Sequence, residues 1–287
     1  MIKLNLYNET IDILKKYKIS ANKRLGQNFL IDEETIDGII KAAEVKEDDL
    51  IIEIGPGLGS LTKRLLDNSG KVVCIELDNR MIEILNDRFK FYDNFKLIND
   101  DVLKVNLKEL IKEEKIKNVK IVANLPYYIT TPIIMKLLEE RLDIQSITVM
   151  VQKEVADRLV DIPGGKNSGA ITYAINYYTK PEKVLEVPST SFLPAPEVNS
   201  SVIKLNVLEK PAVKVKDEKL LFKIIKLAFM QKRKTLLNGL TNGNLGSKEE
   251  VEKMLIELEF DLRVRGEKLS LQDFAKIADY WSGKLTK

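Results

Sequence analysis

None of the 287 residues is a histidine. That absence removes Ser-His and Cys-His nucleophile pairs, His-ligated zinc and imidazole acid-base chemistry from the functions open to the chain. No group titrates near neutrality unless a carboxylate, lysine or tyrosine is strongly shifted by its surroundings. Cysteine is almost as scarce: Cys74 is alone, so no intrachain disulfide forms. Its place in the apolar run Val72, Val73, Cys74, Ile75 marks a buried, inert thiol rather than a nucleophile. No apolar run reaches the roughly 18 residues that a membrane-spanning helix needs. Residues 1–17 form an amphipathic stretch of mixed charge, unlike a signal peptide. The expectation is a soluble cytoplasmic protein with no membrane partner and no metal.

What is present suits one large and one small domain. Hydrophobic residues make up 44% of the chain, enough for a sizeable core. The net charge of +3 says little by itself, but its distribution is uneven. Residues 1–24 carry six Lys/Arg against two acids, residues 25–206 carry 23 against 29, and residues 207–287 carry 17 against 12. Basic ends around an acidic middle fit a body that binds a small cofactor, flanked by segments that touch phosphates. For any single lysine, a merely solvated helix face is the competing explanation.

From residue 50 onward, short apolar runs alternate with amphipathic segments, the pattern of a parallel sheet with crossover helices. Strands are expected at 50–54, 72–76, 95–99, 119–123 and 147–151. Helices are expected at 61–66, 81–89, 105–111, 133–138, 154–160 and 170–178, with an earlier one capped by Asp32. Residues 184–187 and 202–207 have no clear helix between them and read as an antiparallel pair that ends the sheet. Lys210 and Pro211 mark a boundary, after which the period is helical throughout. The division expected is a catalytic domain over 1–209, including a helical extension at 1–48, and a helical domain over 210–287.

Asn124-Leu125-Pro126-Tyr127 leaves the end of the fourth apolar run. The Asn124 amide oxygen and the Leu125 carbonyl, held extended by Pro126, can both accept from one planar amino group. Tyr127 can stack on the ring that carries the amine. Alone, the tetrad could equally be a turn. Upstream, Glu53-Ile54-Gly55-Pro56-Gly57-Leu58-Gly59 follows the first strand, and its glycines allow a sharp turn and close approach to a ligand. The Gly-x-Gly-x-Gly spacing departs from the dinucleotide fingerprint Gly-x-Gly-x-x-Gly and favours a smaller nucleoside over a pyrophosphate. Glu76 ends the second strand and can accept from both ribose hydroxyls, a feature shared by NAD and S-adenosylmethionine (SAM) sites. Asp101 ends the third strand and can accept from an adenine amine, as can its neighbour Asp100. Ligands of open α/β sheets bind along this strand-end edge.

These segments, with Gly26-Gln27-Asn28-Phe29-Leu30 before them and Phe192-Leu193-Pro194-Ala195-Pro196-Glu197-Val198-Asn199-Ser200 after them, span nearly the whole chain. Together they resemble the small-subunit rRNA adenine N6,N6-dimethyltransferases, the KsgA family. The resemblance implies a class I SAM-dependent methyltransferase fold, a Rossmann-like α/β domain with a seven-stranded, mostly parallel sheet, followed by a small all-helical C-terminal domain. It implies SAM as cofactor, with Asn28, Leu30, Gly55, Gly57, Glu76, Asp101 and Asn124 around it, and dimethylation of two adjacent adenines in the 3′-terminal hairpin of small-subunit rRNA. Asn124, Leu125, Pro126 and Tyr127 would present the target amine. Phe192 would share the base with Tyr127, unless it is a core aromatic pinned between prolines. The partner implied is a pre-30S particle, met by a monomer.

Such chemistry needs no general base, because SAM is already activated and the nitrogen can lose its proton to water. The basic run Gln231-Lys232-Arg233-Lys234, with Lys223 and Lys226 upstream and no acid from 220 to 233, reads as a phosphate-contacting patch. Lys23 and Arg24 read as a second one. Competing readings are the large-subunit rRNA dimethyltransferases of macrolide resistance, an assembly factor whose binding role dominates, and an NAD oxidoreductase. Leu125 and the Phe-x-Pro-x-Pro-x-Val run favour the small-subunit group by resemblance.

Overall fold

The computed structural model describes residues 5–22, 25–231 and 233–285. Along the chain the elements are α1 (Leu6–Lys16), β1 (Phe29–Leu30), α2 (Glu33–Ala43), β2 (Leu50–Ile54), α3 (Ser60–Leu66), β3 (Lys71–Glu76), α4 (Asn79–Phe89), β4 (Phe95–Asn99), α5 (Leu107–Glu114), β5 (Val119–Asn124), α6 (Thr130–Glu139), β6 (Ser146–Gln152), α7 (Lys153–Leu159), α8 (Ala170–Tyr178), β7 (Thr179–Val187), β8 (Phe192–Leu193), β9 (Ser200–Val207), α9 (Glu218–Met230), α10 (Leu236–Asn242), α11 (Lys248–Glu257) and α12 (Leu271–Leu285).

The five expected parallel strands form because crossover helices leave their central members no face for water. All five residues of β2 are buried, as are Val119 to Ala123 of β5. Seven strands hydrogen-bond in the order β4-β3-β2-β5-β6-β9-β7. β2 to β6 run parallel, and β9 enters antiparallel to β6. The registers Ile54↔Ile75, Ile54↔Ala123 and Glu76↔Asn99 leave the carboxyl ends of four strands level. A central strand tolerates Lys120 only because its ammonium donates to Asp49 at 2.7 Å and to the Glu44 carbonyl at 2.6 Å.

Some boundaries differ from the periodic pattern for local reasons. The helix expected at 105–111 starts at Leu107, because the Asn106 side chain accepts from the Glu109 N–H and caps it there. Asp32 precedes α2 without capping its backbone; its carboxylate instead accepts from the Thr35 and Ser191 hydroxyls. The expected terminal pair is adjacent, and β9 lies inside β7. No strand follows Val207 among the described residues.

One pairing has no signal in the periodicity. β1 and β8 form a separate two-stranded sheet, with Phe29 opposite Leu193 and Leu30 opposite Phe192. It joins two motifs that are some 160 positions apart in the chain.

The chain groups into two compact units, Met1–Ala156 with Glu182–Val207, and Asp157–Pro181 with Leu208–Lys287. The break expected at 209/210 thus falls at 207/208, and residues 157–181 group with the C-terminal helices. Aromatic packing is the reason. Tyr173 of α8 lies edge-on to Phe274 and donates its hydroxyl to the Leu269 carbonyl at 2.6 Å. Tyr178 stacks on Phe222, and both Tyr177 and Tyr178 donate to Glu218. Among the described residues, no helix is long and apolar enough to cross a membrane.

Candidate active site

The level strand ends open onto a cavity of about 1100 Å³, counting its mouth to solvent, within the first unit. Its floor is the turn after β2. Gly55, Gly57 and Gly59 have φ of +67°, +58° and +83°, conformations that glycine adopts at no steric cost. At Gly59 the requirement is double: a Cβ there would sit 2.6 Å from the Phe89 ring. The turn therefore packs against α4 while exposing its backbone to the cavity.

Because the sheet order is β4-β3-β2-β5, the groups along the edge run Asp101, Glu76, Gly55, Asn124. Adjacent strands are about 4.8 Å apart, so the row spans about 14 Å, the reach of an extended nucleoside with a side chain. Glu76 is buried, and burial pushes its pKa up; the Asp78 and Gly57 N–H groups, at 2.8 and 3.2 Å, oppose that shift. Each carboxylate oxygen takes one of these donors, which fixes the group facing the cavity. Asp100 and Asp101 both line the cavity. Asp100 accepts from the Asp101 N–H and Asp101 from the Leu103 N–H, and Asp101 is the less exposed.

At the other end, Asn28, Leu30, Leu125, Pro126 and Tyr127 line the same cavity. The Asn124 amide Nδ2 donates to the Asn28 carbonyl at 3.4 Å. That bond orients the carboxamide and leaves Oδ1 to accept from a ligand. Leu125 is buried and its N–H donates to the Met150 carbonyl. Tyr127 hydrogen-bonds Ser200 through its hydroxyl at 2.7 Å, and burial raises its pKa. The ring is thereby held in one orientation.

Phe192 requires a correction to the base-sharing reading. It is 3% exposed, does not line the cavity, and packs in the core cluster with Phe29, Leu30 and Val202. Its strand, β8, is held against β1, with Phe192 opposite the buried Leu30. Lys223, Lys226, Arg233 and Lys234 lie in the second unit and are exposed. Lys23, Arg24 and Lys232 lie outside the described residues.

Among the cavity groups to which the sequence reading gives no role are Gln27, Glu53 and Tyr128. Gln27 donates to Asp78 at 2.8 Å and accepts from the Asn22 N–H at 2.8 Å, tying the segment before β1 to the turn after β3. The Arg80 guanidinium on the same carboxylate holds Asp78 below the usual range. Glu53 is a lone acid inside the apolar strand Leu-Ile-Ile-Glu-Ile, a pattern that does signal a buried charge. Its carboxylate accepts from Thr62 at 2.6 Å and Cys74 at 3.3 Å.

Burial pushes Glu53 up to about 7 from an ordinary value near 4.5. A carboxyl that binds its proton more tightly when folded lowers stability as pH rises through that window. Glu53→Gln keeps an acceptor for Thr62, and is expected to flatten the pH dependence of thermal unfolding between pH 4.5 and 7. The effect is on the order of 1 kcal/mol per pH unit, with the variant the more stable protein above pH 7. Glu76 shifts in the same direction, so the comparison is with the parent protein titrated in parallel. Identical slopes for the two proteins would show that Glu53 is ionised throughout.

Residues 18–282 match the family model for ribosomal RNA adenine dimethylase. The ribosomal RNA small subunit methyltransferase A of Lachnoclostridium phytofermentans is 48% identical over 281 residues, covering 96% of this chain and 97% of that protein. The protein of the same name from Clostridium acetobutylicum is 49% identical over 270 residues, covering 94% and 97%. Among solved structures, a dimethyladenosine transferase from Plasmodium falciparum superposes with a TM-score of 0.77 at 28% identity, covering 89% of this chain and 98% of that one. The 23S rRNA methyltransferase ErmE shares the fold, with a TM-score of 0.67 at 22% identity and coverages of 89% and 100%. With a strand-end cavity of this layout, a Rossmann-like methyltransferase fold and relatives matched along almost their full length, the chain belongs to the ribosomal RNA adenine dimethylase family.

Proposed function

We infer that this protein transfers methyl groups from SAM to the N6 atom of adenines in small-subunit rRNA, twice at each base. The observation that carries the reading is the single cavity shared by Glu76, Asp101 and Asn124 at three strand ends, with Tyr127 beside the last. Glu76 accepts from the ribose hydroxyls, Asp101 from the adenine amine, and the Gly55 to Gly57 backbone approaches the methionine end beside Asn28 and Leu30. SAM supplies a methyl group already activated by a sulfonium.

The protein's own work is to present the second adenine. Its N6 lone pair is delocalised into the ring and is a poor nucleophile. Acceptance of the amine by Asn124 Oδ1 and the Leu125 carbonyl favours a pyramidal nitrogen with its lone pair aimed at the methyl group. Tyr127, held by Ser200, stacks on the ring and offsets part of the cost of unstacking the base, a few kcal/mol. The nitrogen loses its proton to water after transfer, so a chain without histidine suffices.

Lys219, Lys223 and Lys226 lie on the exposed face of α9, opposite the buried Leu220, Leu221, Ile224 and Ile225. With Arg233 and Lys234 beyond the helix they form a phosphate-contacting face; the basic pair Lys23 and Arg24, outside the described residues, is a second candidate by its charge alone. This is the surface of a monomer that docks on a pre-30S particle in the cytoplasm. The test is to incubate the protein with labelled SAM and under-methylated small subunits, then map the modified nucleotides. Label on N6 of adenines near the 3′ end of the small-subunit rRNA supports the reading. Label only on large subunits would transfer it to the macrolide-resistance reaction, and no label, with assembly still promoted, would leave a binding role.

A further inference from the structure

Tyr128 has no place in the chemistry above, yet it stands at the mouth of the same cavity. Its side chain is 58% exposed, the most exposed tyrosine among the described residues. Its neighbour differs in every respect: Tyr127 is half-buried and its hydroxyl is bonded to Ser200. No hydrogen bond or ion pair holds the Tyr128 side chain among the described residues. A large aromatic left open to water at a cavity mouth forgoes the free energy of burial.

The backbone keeps the two rings apart. Tyr127 to Ile129 form one 3₁₀ turn, with about three residues per turn, so successive side chains diverge by about 120°. The two tyrosines cannot sandwich one base. Tyr128 stands beside Gly26: a Cβ built there would meet the ring edge at 3.5 Å, an ordinary van der Waals distance. Gly26 has φ +61° and begins the Gly26 to Leu30 motif, which lines the cavity at the same end as Asn124 to Tyr127. One edge of the ring faces Gly26, and most of the residue is open to water.

We propose that Tyr128 is a second base-binding residue, whose ring stacks on the nucleotide next to the target adenine and holds the unstacked strand at the cavity mouth. The proposal rests on the reading in which Tyr127 faces the target base. It gives the pair of tyrosines a division of labour. The inner, tethered ring fixes the base that reacts, and the outer, untethered ring accommodates whichever neighbour follows it. Stacking suits the outer position because every base presents a π face. An enzyme that modifies more than one adenine needs such tolerance at this point.

The test compares Tyr128→Ala, Tyr128→Phe and Tyr128→Trp in the full-length protein. Methyl transfer to under-methylated small subunits is measured beside SAM affinity and thermal unfolding. Tyr128→Ala is expected to raise the KM for the subunit by about tenfold, with kcat, SAM affinity and unfolding temperature changing little. Both aromatic variants should restore the KM. A second readout places 2-aminopurine beside the target adenine in an RNA hairpin, where quenching on binding should be lost in Tyr128→Ala and kept in Tyr128→Phe. An unchanged KM with quenching intact would overturn the proposal. So would a loss of SAM affinity without a change in KM, which would make the ring a cover for the cofactor, or failure of both aromatic variants to rescue. If the parent protein methylates no small subunit, the functional reading falls first and this proposal with it; if the parent is active and Tyr128→Ala matches it, only this proposal falls.

Discussion

Asn124→Ala is expected to lower methyl transfer by about 10²- to 10³-fold while SAM affinity falls much less. The reasoning is geometric. Asn124 ends β5 at the far end of the row from Asp101, so the contacts assigned to ribose and adenine lie at the end of β3 and in the turn after β4 and are left intact. What disappears is the Oδ1 acceptor proposed for the target amine, an interaction that would matter most as the nitrogen becomes pyramidal. The variant also removes the donor to the Asn28 carbonyl, and this is why some loss of cofactor affinity is expected rather than none. Single-turnover transfer from labelled SAM, beside a SAM titration, separates the two effects. Equal turnover in parent and variant would refute the amine-binding role.

Changing Lys232, Arg233 and Lys234 together to glutamine is expected to weaken binding to the small subunit and to flatten its salt dependence. Each phosphate contact contributes roughly 0.7 to 0.9 to the slope of log K against log salt, so three contacts amount to about 2 to 3 units. Arg233 and Lys234 are exposed. No ion pair to an acid competes for them among the described residues. Methyl transfer at saturating subunit concentration should be nearly unchanged, because the patch belongs to the second unit and the cavity to the first. Filter binding over a range of salt concentrations checks this. A slope equal to the parent's would remove the patch from the interface.

Much of this architecture was legible because the two periodicities differ so clearly. The run Leu50 to Ile54 is too short for a helix and, Glu53 apart, too apolar for a half-exposed strand, and all of it is buried. The glycines at 55, 57 and 59 announce a turn that few other residues could make. Glu76 was legible as a cavity-lining carboxylate, because it ends a buried strand beside the glycine turn, where a ribose could be held. Phe192 was not decidable in the same way. An aromatic between prolines fits a core or a stacking platform equally well, and only its burial in the core cluster with Phe29, Leu30 and Val202 shows that the ring points inward.

Periodicity, glycine spacing and the absence of histidine thus determined the element types, the class of cofactor loop and a chemistry without an imidazole. These are local properties, set by backbone sterics and side-chain chemistry within a few residues. The order of the strands, the row Asp101, Glu76, Gly55, Asn124, the β1–β8 pairing and the grouping of residues 157–181 with the C-terminal helices were decided only by the tertiary structure. Each depends on which distant surfaces bury each other, and a parallel strand's hydrophobic pattern fits several neighbours alike.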